Sequence, residues 1–392
     1  MEYEKGNSCV MPRKVVMISK KSIPAAKMES IARKNLFDVQ RKFHDLYALI
    51  KLLRKENHEE LEKNTSLINR KIDKMQISLD AVNKKIFYNN NYERQVISSF
   101  YEMYERSDFK DKFLKLIQGL SNEDIEQIVL ILQRQQMIKD TINQKLDIFS
   151  QEEQEKLLKI QKELHSQIFR VSDDMYCYKH YFLPVKHFEA SVFCYKHGID
   201  CIENLDVLKN KDILDVGGFI GDSILIFKPL TDKRVISFEA VKENYEILKQ
   251  TVELNRLENV IAEHMALGSK ECVVNMKVAG SCSSLSPNDL VTVEKTESVQ
   301  MTTLDSYIES SDIDVGLIKV DIEGAEQDFM KGARKTIEEF KPILLMSIYH
   351  NADDFFHIKP VIESWNLGYK FKIHKPTDFS ISREVLLIAE VR

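Results

Sequence analysis

The sequence has 392 residues, with 61 acidic and 56 basic side chains and a formal net charge of -5. This length allows two or three domains, and the acidic balance gives no overall field that would attract nucleic acid. No apolar run approaches the ~20 residues that cross a membrane, and no signal peptide is recognisable. The six cysteines form neither a C-x-x-C pair nor a zinc-site spacing. We therefore expect a soluble protein without a transmembrane segment, located in the reducing cytoplasm.

Residues 1–27 have no hydrophobic periodicity and are locally basic. This pattern fits a tail without stable structure, or a patch for an anionic glycan or membrane surface. Residues 28–88 contain neither Pro nor Gly, and their apolar side chains recur in alternating steps of three and four. This spacing predicts either a coiled coil that makes the protein a homo-oligomer or a long amphipathic helix that packs on its own neighbours.

Residues 89–170 are expected to form an all-helical region, in which one helix begins at the capping box of Ser150 and Glu153. No residue in this region suggests chemistry. From residue 171 the composition changes, and the stretch 176–201 is rich in Tyr, Phe, His and Lys. The spacings of His180, His187 and His197 match no common metal site. We expect a lid or an aromatic wall over a ligand site.

Beyond Lys211, strands alternate with helices, which predicts a parallel sheet with helices on both faces and a domain spanning residues 171–392. The seven candidate strands are Ile213–Val216, Arg234–Glu239, Val260–Ala266, Val315–Val320, Ile343–Ile348, Tyr369–Ile373 and Val385–Val391. Two further segments with a period of two, Val273–Val278 and Ser298–Thr302, predict an inserted hairpin.

Residues 211–227 contain an apolar strand, a glycine-rich turn and the start of a helix. Asp215 lies near the end of the strand, and the candidate ligand contacts that follow it are Gly217, Gly218, Gly221 and Asp222. The dinucleotide fingerprint would need a glycine where Val216 stands, and no Gly-Lys-Ser/Thr follows as in a Walker loop. The run D-x-G-G-x-x-G is instead similar to motif I of the class I S-adenosylmethionine methyltransferases. The alternative is an ordinary strand–turn–helix connection.

The next two candidate strands end in residues suited to a nucleoside. Glu239 follows the glycine turn by about 20 residues, where a carboxylate accepts hydrogen bonds from both ribose hydroxyls. The third strand ends with His264, Met265 and Leu267, and the two apolar side chains are placed to flank an adenine ring. His264 is either a polar contact to the ring edge or a histidine satisfied elsewhere in the core or at the surface.

Three acids follow the fourth candidate strand within six residues, namely Asp321, Glu323 and Glu326. The carboxyl end of a strand faces the crevice where ligands bind in open α/β sheets. Glu326 is also explained as an acid that stabilises a helix N-terminus. His350 follows the fifth strand beside the same crevice, where a neutral imidazole could take a proton from a hydroxyl group.

The glycine turn, the acidic strand ends and the strand before His350 together resemble the FkbM family of S-adenosylmethionine-dependent methyltransferases. The similar run extends from about Ser191 to Phe371 and includes ILDVGGFIGDS, ISFEAVKENYEILKQTVELN, IKVDIEGAEQDFMKGARKTI and KPILLMSIYHN. The resemblance implies a Rossmann-like seven-strand fold with an antiparallel last strand, and transfer of a sulfonium methyl group to a hydroxyl, often on a sugar. It matches Asp215, Gly217 and Gly221 to the cofactor turn, Glu239 to the ribose carboxylate, and Asp321 and Glu323 to the acidic strand end. The first 170 residues lie outside the resemblance.

We therefore expect an O-methyltransferase that acts on a sugar hydroxyl in a glycan or polysaccharide pathway, with S-adenosylmethionine as cofactor. His350 or Asp321 would take the hydroxyl proton, and Glu323 would orient the acceptor. Asp321 and Glu323 would allow a divalent cation, but two acids fall short of a coordination set, so no metal ligands are assigned. The alternative is a coiled-coil scaffold that carries a decayed methyltransferase domain. Nucleic acid is disfavoured as the acceptor by the acidic charge and by the lack of an N/D-P-P-Y motif.

Overall fold

The structure, a computed structural model, describes residues 86, 88–89, 93–139, 145–278 and 295–391. The basic tail predicted over residues 1–27 lies outside the described residues. Almost all of the predicted coiled coil, residues 28–88, also lies outside them. Within the described ranges, no helix is long and apolar enough to cross a membrane.

Four helices come first, in the region predicted to be helical. They are α1 (Arg94–Tyr104), α2 (Phe109–Ile117), α3 (Asn122–Ile138) and α4 (Gln151–Glu163). The capping box at the start of α4 is confirmed, since the Ser150 hydroxyl accepts from the Glu153 amide and the Glu153 carboxylate accepts from the Ser150 amide. The region is not entirely helical, because β1 (Tyr88–Asn89) and β2 (Lys145–Leu146) form an antiparallel pair.

A three-stranded antiparallel sheet occupies the start of the aromatic stretch. Its strands are β3 (Phe169–Ser172), β4 (Met175–Tyr178) and β5 (Tyr181–Leu183). A short helix α5 (Ala190–Phe193) and a 3-10 helix (Lys196–Cys201) follow before the central sheet begins.

The central sheet contains all seven predicted strands. They are β6 (Asp212–Val216), β7 (Val235–Phe238), β8 (Val260–Glu263), β12 (Val315–Val320), β13 (Ile343–Ser347), β14 (Tyr369–His374) and β15 (Leu386–Val391). Their order is β14-β15-β13-β12-β6-β7-β8, with β15 antiparallel to both of its neighbours and the other pairs parallel. The expected Rossmann-like sheet with an antiparallel last strand is confirmed.

The third candidate strand is divided in two. Strand β8 ends at Glu263, and β9 (Ala266–Leu267) joins a separate sheet in which it pairs in parallel with β11 (Lys295–Thr302). Strand β10 (Cys272–Val278) is antiparallel to β11, which confirms the inserted hairpin. The remaining helices are α6 (Asp222–Phe227), α7 (Lys242–Leu254), α8 (Leu304–Glu309), α9 (Glu326–Gly332), α10 (Arg334–Phe340) and α11 (Ala352–Ser364).

Alternate residues of the central strands enter two different hydrophobic cores, as a sheet covered on both faces requires. Leu214 and Val216 belong to one core, while Ile213 between them belongs to the other. Phe100 of α1 and Ile128 of α3 are buried in the first core together with the sheet. The first helices therefore share a core with the sheet, and the division predicted at residue 170 does not separate two cores.

Candidate functional site

The glycine turn after β6 is held tightly between the ends of two neighbouring strands. The amides of Gly217 and Gly218 donate to the Phe238 carbonyl at 3.0 and 2.9 Å. Gly217 has a φ of 86°, and a Cβ atom there would lie 1.8 Å from the Asp321 carbonyl oxygen. Gly221, with a φ of 81°, caps helix α6. The predicted turn residues therefore fix the backbone at the end of the sheet, and a side chain at Gly217 has no room.

Asp215 lies beneath this turn, fully buried. Its Oδ2 atom accepts hydrogen bonds from the hydroxyls of Ser223 at 2.7 Å and Ser237 at 2.9 Å. Lys319 Nζ lies 3.2 Å from Asp215 Oδ1 and donates to the Gly217 carbonyl at 2.7 Å. Burial lowers the pKa of Lys319, but the Asp215 and Asp321 carboxylates outweigh it and raise that pKa above its usual value. A buried ion pair thus supports the turn from below.

Glu239 follows β7 and joins the turn to the loop before α7. Its Oε2 atom accepts from the Phe219 amide at 2.8 Å, and its Oε1 atom accepts from the Val241 amide at 2.7 Å. The residue is 7% exposed, and burial raises its pKa to about 7. Glu239 therefore lies at the cleft with each carboxylate oxygen bound to a backbone amide.

A cleft opens over the carboxyl ends of β6, β7 and β12. The predicted site residues that line it are Gly217, Asp222, Glu239, Met265, Asp321 and Glu323. The other predicted site residues do not line the cleft. They are Asp215, Gly218, Gly221, His264 and His350. Predicted ligand contacts and predicted catalytic acids therefore share one cavity.

His264 lies outside the cleft lining. Its Nε2 atom lies 3.1 Å from the Ala240 carbonyl oxygen, and its ring stacks on Tyr245 with 5.0 Å between centroids. Met265, the next residue, does line the cleft. The break between β8 and β9 turns the two side chains apart, so the arrangement matches the alternative in which His264 is satisfied outside the ligand site.

His350 is the centre of a buried acidic cluster. Its Nε2 atom lies 3.2 Å from Asp321 Oδ1 and 3.7 Å from Glu323 Oε2, and its Nδ1 atom lies 3.0 Å from Glu326 Oε1. Burial lowers the pKa of His350, but the carboxylates, Glu326 and Glu323 foremost, raise it well above its usual value. His350 is therefore an imidazolium at neutral pH, with a carboxylate facing each nitrogen.

The same cluster gives its acids opposite pKa shifts. Burial opposes ionisation of Asp321, but the His350 imidazolium and then Lys319 lower the pKa of Asp321 below its usual range. Glu323 has a pKa of about 7, raised mainly by burial. Donor atoms of Asp321, Glu326 and His350 lie within 4.8 Å of one another, so these described residues are placed where they could also hold a metal ion.

The far side of the cleft contains residues that the sequence analysis did not select. They are Glu189, His197, Tyr349, Arg383 and Glu384. The Tyr349 hydroxyl donates to Glu384 Oε1 at 3.3 Å, and burial raises the pKa of Glu384 to about 8. The only local signal for Arg383 and Glu384 is a pair of charges directly before the apolar strand β15.

Residues 215–371 match the family model described as the methyltransferase FkbM domain. The structure is similar to that of methyltransferase FkbM from Methylobacillus flagellatus KT, with 18% identity and a TM-score of 0.45 over 71% of this chain and 58% of that chain. The chain thus spans less than two thirds of that protein's length. No curated protein matches the sequence.

Two further similar structures were solved with the methyl donor or its product. Fibrillarin from Aeropyrum pernix, with natively bound S-adenosyl-L-methionine, is 13% identical with a TM-score of 0.31 over 50% of this chain and 74% of that chain. The O-methyltransferase from Bacillus cereus, in complex with SAH, is 11% identical with a TM-score of 0.31 over 66% of this chain and 96% of that chain.

The residues of the cleft fit S-adenosylmethionine. Glu239 offers carboxylate oxygens at the end of β7, and Met265 offers apolar surface beyond β8. The buried His197 Nε2 atom has no hydrogen-bond partner within the described chain, so a polar ligand atom can be accommodated near it. The C-terminal part of the chain therefore contains a methyltransferase domain that matches the FkbM family over residues 215–371, with S-adenosylmethionine as its cofactor.

Proposed function

We propose that the protein is an O-methyltransferase that methylates a hydroxyl of a neutral or amino-bearing sugar in a glycan pathway. The observation that carries this proposal is the carboxyl-lined pocket that adjoins the glycine turn. Asp321, Glu323 and Glu384 line the same cleft as Gly217 and Glu239. A methyl donor held on the turn would therefore face an acceptor held by carboxyl groups.

On the cofactor side, the turn residues would hold the donor through backbone atoms, with Asp215 and Asp222 supporting them. Glu239 would accept the ribose hydroxyls, and Met265 would pack on the adenine. Bound there, the cofactor supplies a methyl group on a sulfonium, whose transfer to oxygen removes a positive charge. The protein itself mainly has to position the acceptor and exclude water.

On the acceptor side, carboxyl groups favour ligands rich in hydrogen-bond donors. Glu189, Glu323 and Glu384 line this part of the cleft, and Arg383 is the basic residue beside them. Burial and the neighbouring carboxylates raise the pKa of Glu323 to about 7 and that of Glu384 to about 8, so this part of the cleft resists further negative charge and disfavours phosphorylated or carboxylated acceptors. A polyol or an amino sugar suits the pocket better than nucleic acid does.

The hydroxyl needs a proton acceptor, and the pKa values select among the predicted catalytic residues. A general base works best when its pKa is near the working pH, and Glu323 has a pKa of about 7. His350 faces carboxylate oxygens with both ring nitrogens, so it has no free nitrogen for the hydroxyl. We assign Glu323 as the base, Asp321 as the residue that orients the acceptor, and His350 as the cation that holds both acids.

A panel assay tests this proposal. The full chain is incubated with methyl-labelled S-adenosylmethionine and separate acceptors: neutral sugars, amino sugars, sugar phosphates, uronic acids, a catechol and tRNA. We expect the wild type to transfer the label to neutral or amino sugars, and we expect Glu323→Gln to transfer none. Label confined to the catechol, the anionic sugars or tRNA contradicts the acceptor assignment.

We further propose that residues 28–85, which lie outside the described residues, form a coiled coil that makes the protein a cytoplasmic homo-oligomer, whereas Tyr88 at the end of the predicted stretch lies in β1. The support is the heptad spacing in the sequence alone. Sedimentation equilibrium of the full chain measures its mass. A monomer of 45.7 kDa would contradict the proposal.

A further inference from the structure

His197 is a polar residue of the cleft that has no role in the proposed function. It is 6% exposed and lines the cleft, and its Nε2 atom has no hydrogen-bond partner. Buried polar nitrogens in folded proteins are nearly always paired, and an unpaired one weakens the fold. An unpaired nitrogen at a cleft wall therefore points to a partner atom on a bound ligand.

The backbone and the packing fix the direction of this imidazole. His197 has φ 49° and ψ 36°, a left-handed conformation that few non-glycine residues adopt. The chain can turn here because Gly198 follows, and a Cβ atom on Gly198 would lie 3.0 Å from Ile388 Cδ1. The ring stacks on Phe227 of α6 with 5.7 Å between centroids. Strained backbone that the surroundings impose in this way concentrates at ligand sites.

Burial keeps the ring of His197 neutral. Burial, followed by the Lys319 ammonium, lowers the pKa of His197 to about 4, although Asp215, Asp321 and Glu189 oppose that shift. At neutral pH the imidazole therefore has one N–H donor. Lys319 also lines the cleft and its positive charge acts on His197, so a ligand carboxylate between them would find a donor and a cation.

The order of the strands indicates which end of the cofactor lies near His197. Glu239 on β7 and Met265 beyond β8 mark the adenosine end. Strands β6 and β12 lie on the other side of β7, and they carry the Asp215, Lys319 and Asp321 groups whose charges act on His197. The amino-acid end of the cofactor, which has a carboxylate and an ammonium group, therefore extends toward His197.

We propose that His197 binds the amino-acid end of S-adenosylmethionine, donating a hydrogen bond from Nε2 to its carboxylate beside Lys319. The assignment rests on the cofactor of the proposed function and on no particular acceptor. It places a cofactor contact in the segment before the central sheet, ahead of residues 215–371 that match the family model.

Calorimetric titration with three ligands tests the assignment. S-adenosylhomocysteine carries the complete amino-acid end, S-adenosyl-3-thiopropylamine lacks only the carboxylate, and 5′-methylthioadenosine lacks the whole end. In His197→Phe, which keeps a ring against Phe227, we expect the Kd of S-adenosylhomocysteine to rise about ten-fold or more, the usual effect of losing a hydrogen bond to a charged group. The Kd values of the other two ligands should change less than about two-fold.

Two further variants separate binding from folding. His197→Gln keeps a side-chain N–H donor and should recover part of the lost affinity. His374→Phe is the matched control, because His374 is a second neutral histidine near Gly198 that lies outside the cleft lining, 3.6 Å from Cys201 Sγ. It should leave all three Kd values unchanged.

The outcomes distinguish this inference from the proposed function. If His197→Phe weakens all three ligands equally, or leaves S-adenosylhomocysteine binding intact, the assignment of His197 is wrong and the methyltransferase function stands. If the wild-type protein binds none of the three ligands, the proposed function fails and the assignment fails with it.

Discussion

The Glu93 carboxylate directly before α1 lies 2.6 Å from the backbone nitrogen of Ser382 in the loop before β15. The same carboxylate accepts hydrogen bonds from the amides of Ile381 and Arg383 at 3.0 and 3.1 Å. Glu93 is 1% exposed. Arg383 and Glu384 line the cleft, so the first helices hold a loop that forms part of the cleft wall.

We predict that Glu93→Gln loosens this loop. An amide group in place of the carboxylate removes one acceptor oxygen and puts a donor against backbone donors, which costs about 1–3 kcal/mol. The exchange rate of the Ile381 to Arg383 amides, measured by hydrogen–deuterium exchange, should rise about ten-fold.

Asp124→Asn is the matched control. Asp124 of α3 accepts from the Ile373 amide at 2.8 Å, so it also joins the helices to the sheet, but at a point outside the cleft lining. Asp124→Asn should leave the amide exchange rate of residues 381–383 unchanged. If Glu93→Gln also leaves this rate unchanged, the first helices do not hold the loop.

Lys319→Met should strongly destabilise the protein. The change leaves the Asp215 carboxylate buried without its counter-charge, and removal of one partner of a buried ion pair costs about 3–5 kcal/mol. Urea unfolding measures this loss. The double variant Lys319→Met with Asp215→Asn should recover much of it, while Lys331→Met, in an exposed pair with Asp328, should have no measurable effect. A loss in the double variant that equals the sum of the single losses argues against a coupled pair.

Methyl transfer should depend on pH through Glu323. Its pKa of about 7 means that the base is protonated, and therefore inactive, below that pH. With the acceptor that the panel identifies, kcat should rise as the pH rises through about 7. Glu323→Gln should lower kcat at pH 8 by about 100-fold and remove the rising limb, with cofactor affinity unchanged. A wild-type kcat that is flat from pH 5 to 8 contradicts this role.

Glu239 should make the ligand-free protein less stable as the pH rises. Its pKa is raised from 4.5 to about 7 by burial, so between these values the folded protein retains a proton that the unfolded chain releases. The free energy of unfolding therefore falls with rising pH in this window, by up to about 1.4 kcal/mol per pH unit. Urea unfolding at pH 5 and 7.5 should show a smaller fall in Glu239→Gln than in the wild type. Equal falls would show that another group is responsible.

The glycine turn and the position of Glu239 were predictable from the sequence. Gly217 and Gly221 adopt positive φ, a conformation that glycine adopts most readily, and Glu239 directly follows the apolar strand β7. The direction of His264 was not predictable, since it depends on where β8 stops and β9 begins. The Glu93 contact to Ser382 spans 289 positions, and only the folded core brings such residues together.

The pKa values of the acidic cluster also could not be predicted from the sequence. His350 was expected to be a neutral base because an isolated imidazole is half-protonated near pH 6.5. Its charge state in the protein depends on Glu326 and Glu323, which approach it only when β12 and β13 lie side by side. The proposed assignment of Glu323 as the base depends on the same contacts.

The most direct test of the central claim is calorimetric titration of S-adenosylhomocysteine into the wild-type protein, Glu239→Ala and Glu243→Ala. Glu243 is exposed in the first turn of α7 and serves as the control. We predict that the wild type and Glu243→Ala bind the ligand and that the affinity of Glu239→Ala is about ten-fold or more lower. Wild-type protein that does not bind millimolar ligand would contradict the account and favour the scaffold with a decayed domain.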